Sequence, residues 1–191
     1  MLERAQRLGF LGPGPVEGHL RHAAAFAAAV GQPGNALDLG SGAGVPGLVL
    51  AATWNSSRWV LLDANARRGA FLEQVVAHLR LADRVTVVVE RAERAARDAA
   101  WRGTFDLVVA RSFGPPAVTA ECASGFLRVG GQLVVSEPPT DAGDRWPEGS
   151  LGELGLVDRA RRGSVRVLEQ ASRVSERFPR RVGIPAKRPL W

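Results

Sequence analysis

The chain has 191 residues, of which 46% are hydrophobic and 23% are charged, which predicts one globular domain with a core of its own. Its single cysteine, Cys122, excludes an internal disulfide, and no Cys/His cluster has the spacing of a zinc site. We therefore expect a reducing, cytoplasmic setting and no metal. The formal net charge of +6 indicates a polyanionic partner.

Helices and strands are predicted to alternate along the chain. Residues 16–30 form an alanine-rich helix, whose apolar run at 23–30 is eight residues long and therefore shorter than the roughly 20 residues of a membrane span. Further helices are predicted at 44–54, 65–81, 91–101 and 117–127. Strands are predicted at 35–39, 58–63, 84–89, 105–110 and 132–136, then a loop at 137–150 and two strands at 154–160 and 164–170.

This order of elements predicts an α/β fold. Strands that alternate with helices form βαβ units and a parallel sheet, whereas two final strands without a helix between them form an antiparallel hairpin. The expected architecture is a mostly parallel seven-stranded sheet with one antiparallel strand near the edge. That arrangement is the Rossmann-like class I methyltransferase fold.

The most informative segment is residues 35–47, NALDLGSGAGVPG. Glycines at the carboxyl end of a strand let the backbone turn sharply and approach a ligand closely. Residues 42–47 fit the dinucleotide pattern Gly-x-Gly-x-x-Gly. The segment also fits the acid-x-Gly-x-Gly-x-Gly pattern of S-adenosylmethionine enzymes, through Asp38, Gly40, Gly42 and Gly44.

Two residues favour S-adenosylmethionine over a dinucleotide. Pro46 has no amide hydrogen, which removes one donor from the helix start where a pyrophosphate would bind. Asp38 would repel a phosphate, but it is suited to holding the ammonium group of the methionine moiety. A nicotinamide oxidoreductase is therefore the weaker interpretation of this segment.

Two other polar residues follow predicted strands. Asp63 ends the strand at 58–63 and is placed to accept hydrogen bonds from both ribose hydroxyls of a cofactor, with helix capping as the alternative role. Arg111 follows the strand at 105–110 and is expected in the crevice beyond the sheet, with a surface ion pair as the alternative. The histidines, His19, His22 and His78, lack partners at catalytic or metal-ligand spacing, so no catalytic residue is predicted.

The positive charge is concentrated at the carboxyl end. Residues 173–191 hold six cations against one acid, Glu176, for a net charge of +5. No amphipathic apolar face accompanies this charge, which favours nucleic acid over a membrane as the partner. We therefore predict a domain over residues 1–172 and a basic tail over residues 173–191. The predicted RNA-binding residues of the tail are Arg177, Arg180, Arg181, Lys187 and Arg188.

Four segments resemble the small-subunit (16S) ribosomal RNA methyltransferase G family, also called the glucose-inhibited division protein B family. Residues 37–47, LDLGSGAGVPG, resemble its cofactor loop, including the less usual Pro-Gly ending. Residues 61–72, LLDANARRGAFL, are similar to its second motif, and residues 109–113, VARSF, to its Ser-Arg-Ala-Phe signature. Residues 177–190, RFPRRVGIPAKRPL, are very like its basic tail.

The resemblance implies transfer of a methyl group from S-adenosylmethionine to N7 of a guanine in 16S rRNA, free or in the small subunit. By matching positions, Gly40 and Val45 would contact the cofactor, Ala92 and Glu93 would border its adenine, and Arg111 would lie beside the cofactor and the target base. Because N7 already carries a lone pair, the transfer needs alignment rather than a general base. A donor on N7 would block methylation, so Arg111 is expected at phosphate or O6. We expect a cytoplasmic monomer.

The sequence departs from the family pattern in three places. Only 34 residues precede Asn35, where the family has a longer helical extension. Residues 136–139, SEPP, replace the family's Lys-Gly step, so that Glu137 is expected to repel a phosphate backbone. Residues 165–169, VRVLE, lack the histidine of the family's Arg-His strand. The alternatives are a divergent paralogue that methylates another RNA or a small molecule, and a non-catalytic RNA-binding protein that keeps the fold.

Overall fold

A computed structural model of the chain describes residues 1–139 and 144–191. In these residues a seven-stranded sheet has the order β3-β2-β1-β4-β5-β7-β6. The strands are β1 (Asn35–Leu39), β2 (Arg58–Asp63), β3 (Val85–Val89), β4 (Phe105–Ala110), β5 (Leu127–Ser136), β6 (Leu156–Arg162) and β7 (Val165–Gln170). The helices are α1 (Leu2–Arg7), α2 (Val16–Ala29), α3 (Gly47–Thr53), α4 (Ala66–His78), α5 (Ala92–Ala95), α6 (Pro116–Ser124), α7 (Glu148–Glu153) and α8 (Ile184–Lys187).

The sheet has the predicted mixture of parallel and antiparallel strands. Strands β1 to β5 pair in parallel, and β7 runs antiparallel to both of its neighbours, β5 and β6. The chain builds outward from β1 through β2 to β3, and then crosses to the other side of β1 to form β4. Ligands of open α/β sheets bind where the strand order reverses in this way, beyond the carboxyl ends of the strands. The predicted α/β class is confirmed.

Two hydrophobic cores cover the two faces of the sheet. Helices α2, α3 and α4 pack on one face, where Phe26 and Leu72 are buried. Helices α5, α6 and α7 pack on the other, with Phe126 and Leu151 buried among the strand residues. The alanine-rich run at 23–30 lies in α2 except for Val30, which directly follows the helix, and Ala23 and Phe26 are in the core. No helix in the described ranges is long and apolar enough to cross a membrane.

Several elements differ in extent from the prediction. The helix expected at 91–101 ends at Ala95, because the chain then turns and the Asp98 carboxylate accepts a hydrogen bond from the amide of Ala100 at 2.9 Å. Helix α6 ends at Ser124, and β5 begins at Leu127 rather than residue 132, with an irregularity in its pairing to β4. The short helices α1, α7 and α8 were not predicted. Part of the loop predicted at 137–150, residues 140–143, lies outside the described residues.

The basic tail packs against the domain. Phe178 is buried in the core beside α6, and Arg97 and Arg102 donate hydrogen bonds to the carbonyl oxygens of residues 175, 177, 178 and 179. Arg180 forms a bidentate ion pair with Glu121 of α6, with N–O distances between 2.6 and 3.1 Å. Since Glu121 is completely buried, Arg180 supplies the charge that makes its ionised form tolerable there.

We expect Arg180→Ala to lower the free energy of unfolding by about 3 kcal/mol, because it leaves a buried carboxylate without a charged partner. Arg181→Ala is the matched control, since Arg181 is exposed and its side chain has no hydrogen-bonding partner in the described part of the chain. We expect the control to change stability by less than about 0.5 kcal/mol. Urea denaturation monitored by tryptophan fluorescence measures both values, and equal losses would contradict this role of Arg180.

Candidate functional site

Two adjoining cavities lie beyond the carboxyl ends of the parallel strands. The first, which we call the inner cavity, has a volume of about 190 Å³ and is lined by Asp63 at the end of β2 and by Glu93 of α5, which follows β3. The second, the outer cavity, has a volume of about 680 Å³ and lies between the segment before α2 and the ends of β4 and β5. Gly114 lines both cavities, so their occupants would be neighbours.

Asp38 is buried at the end of β1, with 1% of its surface exposed. Its Oδ2 atom accepts a hydrogen bond from the amide of Gly47 at 2.9 Å, and its Oδ1 atom has no hydrogen-bonding partner in the described part of the chain. A Cβ atom at Gly47 would lie 2.4 Å from that of Asp38, so only glycine fits at the start of α3. Burial raises the pKa of Asp38 to about 7. The free oxygen is a buried acceptor that suits a cationic group.

Asp63 holds the glycine segment in place. Its Oδ2 atom accepts a hydrogen bond from the amide of Gly42 at 2.9 Å, and its Oδ1 atom accepts one from the amide of Asn65 at 2.8 Å. The alternative role of helix cap is wrong, because Asn65 caps α4 by accepting hydrogen bonds from the amides of residues 67 and 68. A carboxylate oxygen has two lone pairs, so Asp63 can still accept ribose hydroxyls in the inner cavity that it lines.

Phe113 packs against the glycine segment at Gly40. Gly40 adopts a φ of +74°, and a Cβ atom there would lie 2.6 Å from the ring of Phe113, which lines the inner cavity with it. The sequence pattern assigns Phe113 no role beyond its place in the family signature. Four other predicted cofactor-binding residues, Asp38, Gly42, Gly44 and Val45, do not line either cavity in the described ranges.

Ala92 and Glu93, which the resemblance places beside the adenine of the cofactor, line the inner cavity. Glu93 is 3% exposed and accepts hydrogen bonds from the amide of Gly183 at 2.9 Å and from the guanidinium of Arg91 at 3.1 Å. Burial alone would raise the pKa of Glu93, but these hydrogen bonds outweigh it and lower the pKa below its ordinary value. The carboxylate is therefore ionised and fixed in orientation.

Arg111 lines the outer cavity and contacts a histidine from a distant part of the chain. Its Nη1 atom lies 3.2 Å from Nδ1 of His19, and Nε2 of His19 lies 3.2 Å from the carbonyl oxygen of Gly12. Because a guanidinium nitrogen only donates, Nδ1 must accept and Nε2 must carry the proton. Sequence reasoning gave no role to His19, since 92 residues separate it from Arg111 and no local pattern connects them.

Glu137 also lines the outer cavity, but its charge is compensated. Its Oε2 atom lies 3.0 Å from Nη1 of Arg145, and its Oε1 atom accepts a hydrogen bond from Nε1 of Trp146 at 2.9 Å. The expected repulsion of a phosphate backbone by Glu137 is therefore reduced by the paired arginine. In the described ranges no group of three or more acidic, histidine or cysteine side chains is arranged to hold a metal ion.

The five predicted RNA-binding residues have different surroundings. Arg180 is engaged by Glu121, and Arg177 is paired with Glu153 at 2.9 Å while it lies over the ring of Phe178. The other three are Arg181, Lys187 and Arg188, whose side chains are exposed and have no hydrogen-bonding or ionic partner in the described part of the chain. RNA binding by the tail stays a prediction.

Solved structures of methyltransferases share this fold. The structure superimposes on the S-adenosylmethionine-dependent methyltransferase SibL with a TM-score of 0.61 at 19% identity, over 80% of this chain and 55% of that one. It also superimposes on the [4+2]-cyclase SpnF with a TM-score of 0.56 at 22% identity, over 73% of this chain and 57% of that one. The chain thus spans little more than half the length of these proteins. A likeness this distant establishes the fold and leaves the activity open.

Closer similarity is found among protein sequences. Residues 16–138 match the GidB family, described as rRNA small subunit methyltransferase G. The ribosomal RNA small subunit methyltransferase G of Prochlorococcus marinus (strain MIT 9313) is 37% identical over 170 residues, which cover 83% of this chain and 69% of the relative. The protein of the same name from Thermotoga neapolitana is 36% identical over 82% of this chain and 72% of the relative. With the fold and the glycine segment, these matches show that the chain belongs to the rRNA small subunit methyltransferase G family.

Proposed function

We propose that this chain transfers a methyl group from S-adenosylmethionine to N7 of a guanine in the small-subunit (16S) rRNA. The observation that carries the proposal is the buried oxygen of Asp38 beside the glycine segment, which has no partner among the described residues, in a chain of this family. A buried acceptor without a donor is costly in a free protein. It is accounted for if the ammonium group of the methionine moiety is its partner.

The chain's own residues divide the binding of the two reactants. Asp38 holds the ammonium group, Asp63 accepts the ribose hydroxyls, and Ala92 and Glu93 border the adenine, with Gly40, Gly42, Gly44 and Val45 shaping the loop between them. When bound, S-adenosylmethionine supplies an electrophilic methyl group on its sulfonium sulfur. The inner cavity takes the adenosine portion and the outer cavity takes the target base, and their shared wall at Gly114 brings the reactants together.

Arg111 is suited to binding the acceptor without blocking it. Guanine N7 carries a lone pair that attacks directly, so no proton has to be removed and no catalytic base is needed. An arginine that donated to N7 would occupy this lone pair. Its contact with His19 uses one N–H group of the guanidinium, and the remaining N–H groups can donate to O6 or to a phosphate.

We propose small-subunit rRNA, free or in the assembling subunit, as the partner, and a cytoplasmic monomer as the working state. The buried single thiol of Cys122 is consistent with a reducing compartment. The exposed cations of the tail supply the sequence-independent attraction to the phosphate backbone.

Mapping of 7-methylguanosine in rRNA from cells with and without the gene tests the activity directly. We expect one 7-methylguanosine in the small-subunit rRNA to disappear when the gene is deleted. It should return with the wild-type gene and remain absent with Asp38→Ala. An unchanged methylation pattern in the deletion strain would contradict the proposed reaction, and methylation of a different RNA would favour a divergent paralogue.

The pKa of Asp38 makes cofactor binding depend on pH. Because the ammonium group binds the carboxylate, and the pKa of Asp38 is about 7 in the free protein, binding below pH 7 must release a proton. We expect the affinity for S-adenosylhomocysteine to fall about fivefold between pH 7 and pH 6, with little change between pH 7.5 and 8.

Calorimetric titration of wild type and Asp38→Asn at several pH values measures this effect. The variant should bind more than about tenfold more weakly at pH 8, since it replaces a charge-assisted hydrogen bond by a neutral one. It should also lose the slope below pH 7. A wild-type affinity that does not change with pH would remove Asp38 from the ammonium site.

We expect Lys187→Ala/Arg188→Ala to weaken binding of a small-subunit rRNA fragment and to flatten its salt dependence. Two lost phosphate contacts on a single strand reduce the slope of log K against log salt by about 1.4. The matched control is Arg58→Ala/Arg80→Ala, which removes two exposed cations near the amino ends of β2 and β3. Filter binding at several salt concentrations compares them, and an equal loss of slope in both variants would assign the effect to net charge rather than to the tail.

A further inference from the structure

The tail reaches the inner cavity. Ala186, in the short helix α8, lines this cavity together with Ala92 and Glu93 from the segment after β3. Its neighbours Lys187 and Arg188 are exposed and do not line this cavity in the described ranges. The tail therefore contributes a residue to the cavity in addition to its exposed cations.

Two buried carboxylates hold the tail in this position. Glu93 accepts a hydrogen bond from the amide of Gly183, the residue that begins α8, at 2.9 Å. Glu121 accepts hydrogen bonds from the amide and the guanidinium of Arg180, and that guanidinium also donates to the carbonyl oxygen of Arg188 at 2.8 Å. Glu93 thus fixes the amino end of residues 183–187 directly, and Glu121 fixes the other end through Arg180.

Glu93 contacts both the inner cavity and the tail. Its side chain lines the inner cavity, and its Oε1 atom receives the tail amide. Since the carboxylate is also bound by Arg91, its orientation is determined from two sides. One hydrogen bond therefore connects the tail at residue 183 to a side chain in the wall of the cavity.

We propose that tail residues 183–187 contribute a wall of the cofactor site through Ala186, and that Glu93 is the positioning residue that holds this segment in place. The inference rests on the proposed function only for the identity of the ligand, S-adenosylmethionine. It assigns to the tail a direct contribution to cofactor affinity, in addition to any contact with RNA.

Hydrogen exchange of the full chain tests the wall. Addition of saturating S-adenosylhomocysteine should slow amide exchange at residues 183–187 at least threefold, because the ligand packs against the segment. The edge hairpin β6–β7, which does not line the inner cavity, provides the internal control. Binding of the ligand without any slowing at residues 183–187 would overturn the proposal.

Substitutions test the same wall by affinity. Ala186→Phe places an aromatic ring at the cavity wall and should weaken S-adenosylhomocysteine binding at least tenfold in calorimetric titration. Val182→Phe is the matched control, because Val182 is exposed on the same tail but does not line the inner cavity in the described ranges. We expect its affinity to stay within twofold of wild type. Equal affinities of the two variants would overturn the proposal.

The role of Glu93 has its own rescue test. Glu93→Ala removes the acceptor of the Gly183 amide, so it should weaken ligand binding and speed amide exchange at residues 183–187. Glu93→Gln keeps an oxygen acceptor and should restore slow exchange, whereas a role through charge alone would leave both variants alike. Wild-type protein that fails to bind S-adenosylhomocysteine would overturn the proposed function as well. If the wild type binds S-adenosylhomocysteine and the affinities of Ala186→Phe and Glu93→Ala are unchanged, only the proposal of the tail wall would be overturned.

Discussion

The carboxylate of Asp38 is buried between the end of β1 and the first turn of α3, and the geometry of the site depends on this burial. One oxygen is satisfied by the amide of Gly47, a position where any Cβ atom would collide with Asp38 itself. The other oxygen is left without a partner in the described residues. Burial without full compensation raises the pKa of Asp38 to about 7. Such incomplete satisfaction is typical of ligand sites, because a bound cation recovers the lost interaction.

The carboxylate of Asp63 has a different role from that of Asp38. Its two oxygens bind the amides of Gly42 and Asn65, so it fixes the glycine segment relative to the start of α4. This structural use does not compete with the predicted contact to ribose, since carboxylate oxygens accept more than one hydrogen bond. The two acids therefore differ in the hydrogen-bonding capacity that remains for a ligand. Among the described residues, Asp38 has a buried oxygen without a donor, and Asp63 has further lone pairs at the wall of a cavity.

Most of the sheet could be predicted from the sequence, whereas the contacts of the tail could not. Strands β1, β2 and β4 have the predicted bounds because strands buried on both faces form continuous apolar runs. The ion pair of Arg180 with Glu121 spans 59 residues and the contact of Arg111 with His19 spans 92. Neither pair leaves a periodic pattern in the sequence. The candidate cofactor-binding residues at strand ends could be predicted because topology alone gathers them, while the positions of Phe113 and Ala186 depend on side-chain packing between distant segments.

Counting charges in a sequence does not reveal the field that an RNA meets. Arg180 looks like a phosphate ligand in the sequence, yet its charge is used to compensate a carboxylate that is completely buried. Glu137 looks repulsive, yet Arg145 lies 3.0 Å from it. Because the two charges of a close ion pair largely cancel at distances greater than their separation, the exposed cations without partners among the described residues dominate the attraction within a Debye length. In the described tail these are Arg181, Lys187 and Arg188, which flank the segment that lines the inner cavity. The two roles that we propose for the tail, attraction of RNA and a contribution to the cofactor site, therefore depend on neighbouring residues of one short segment.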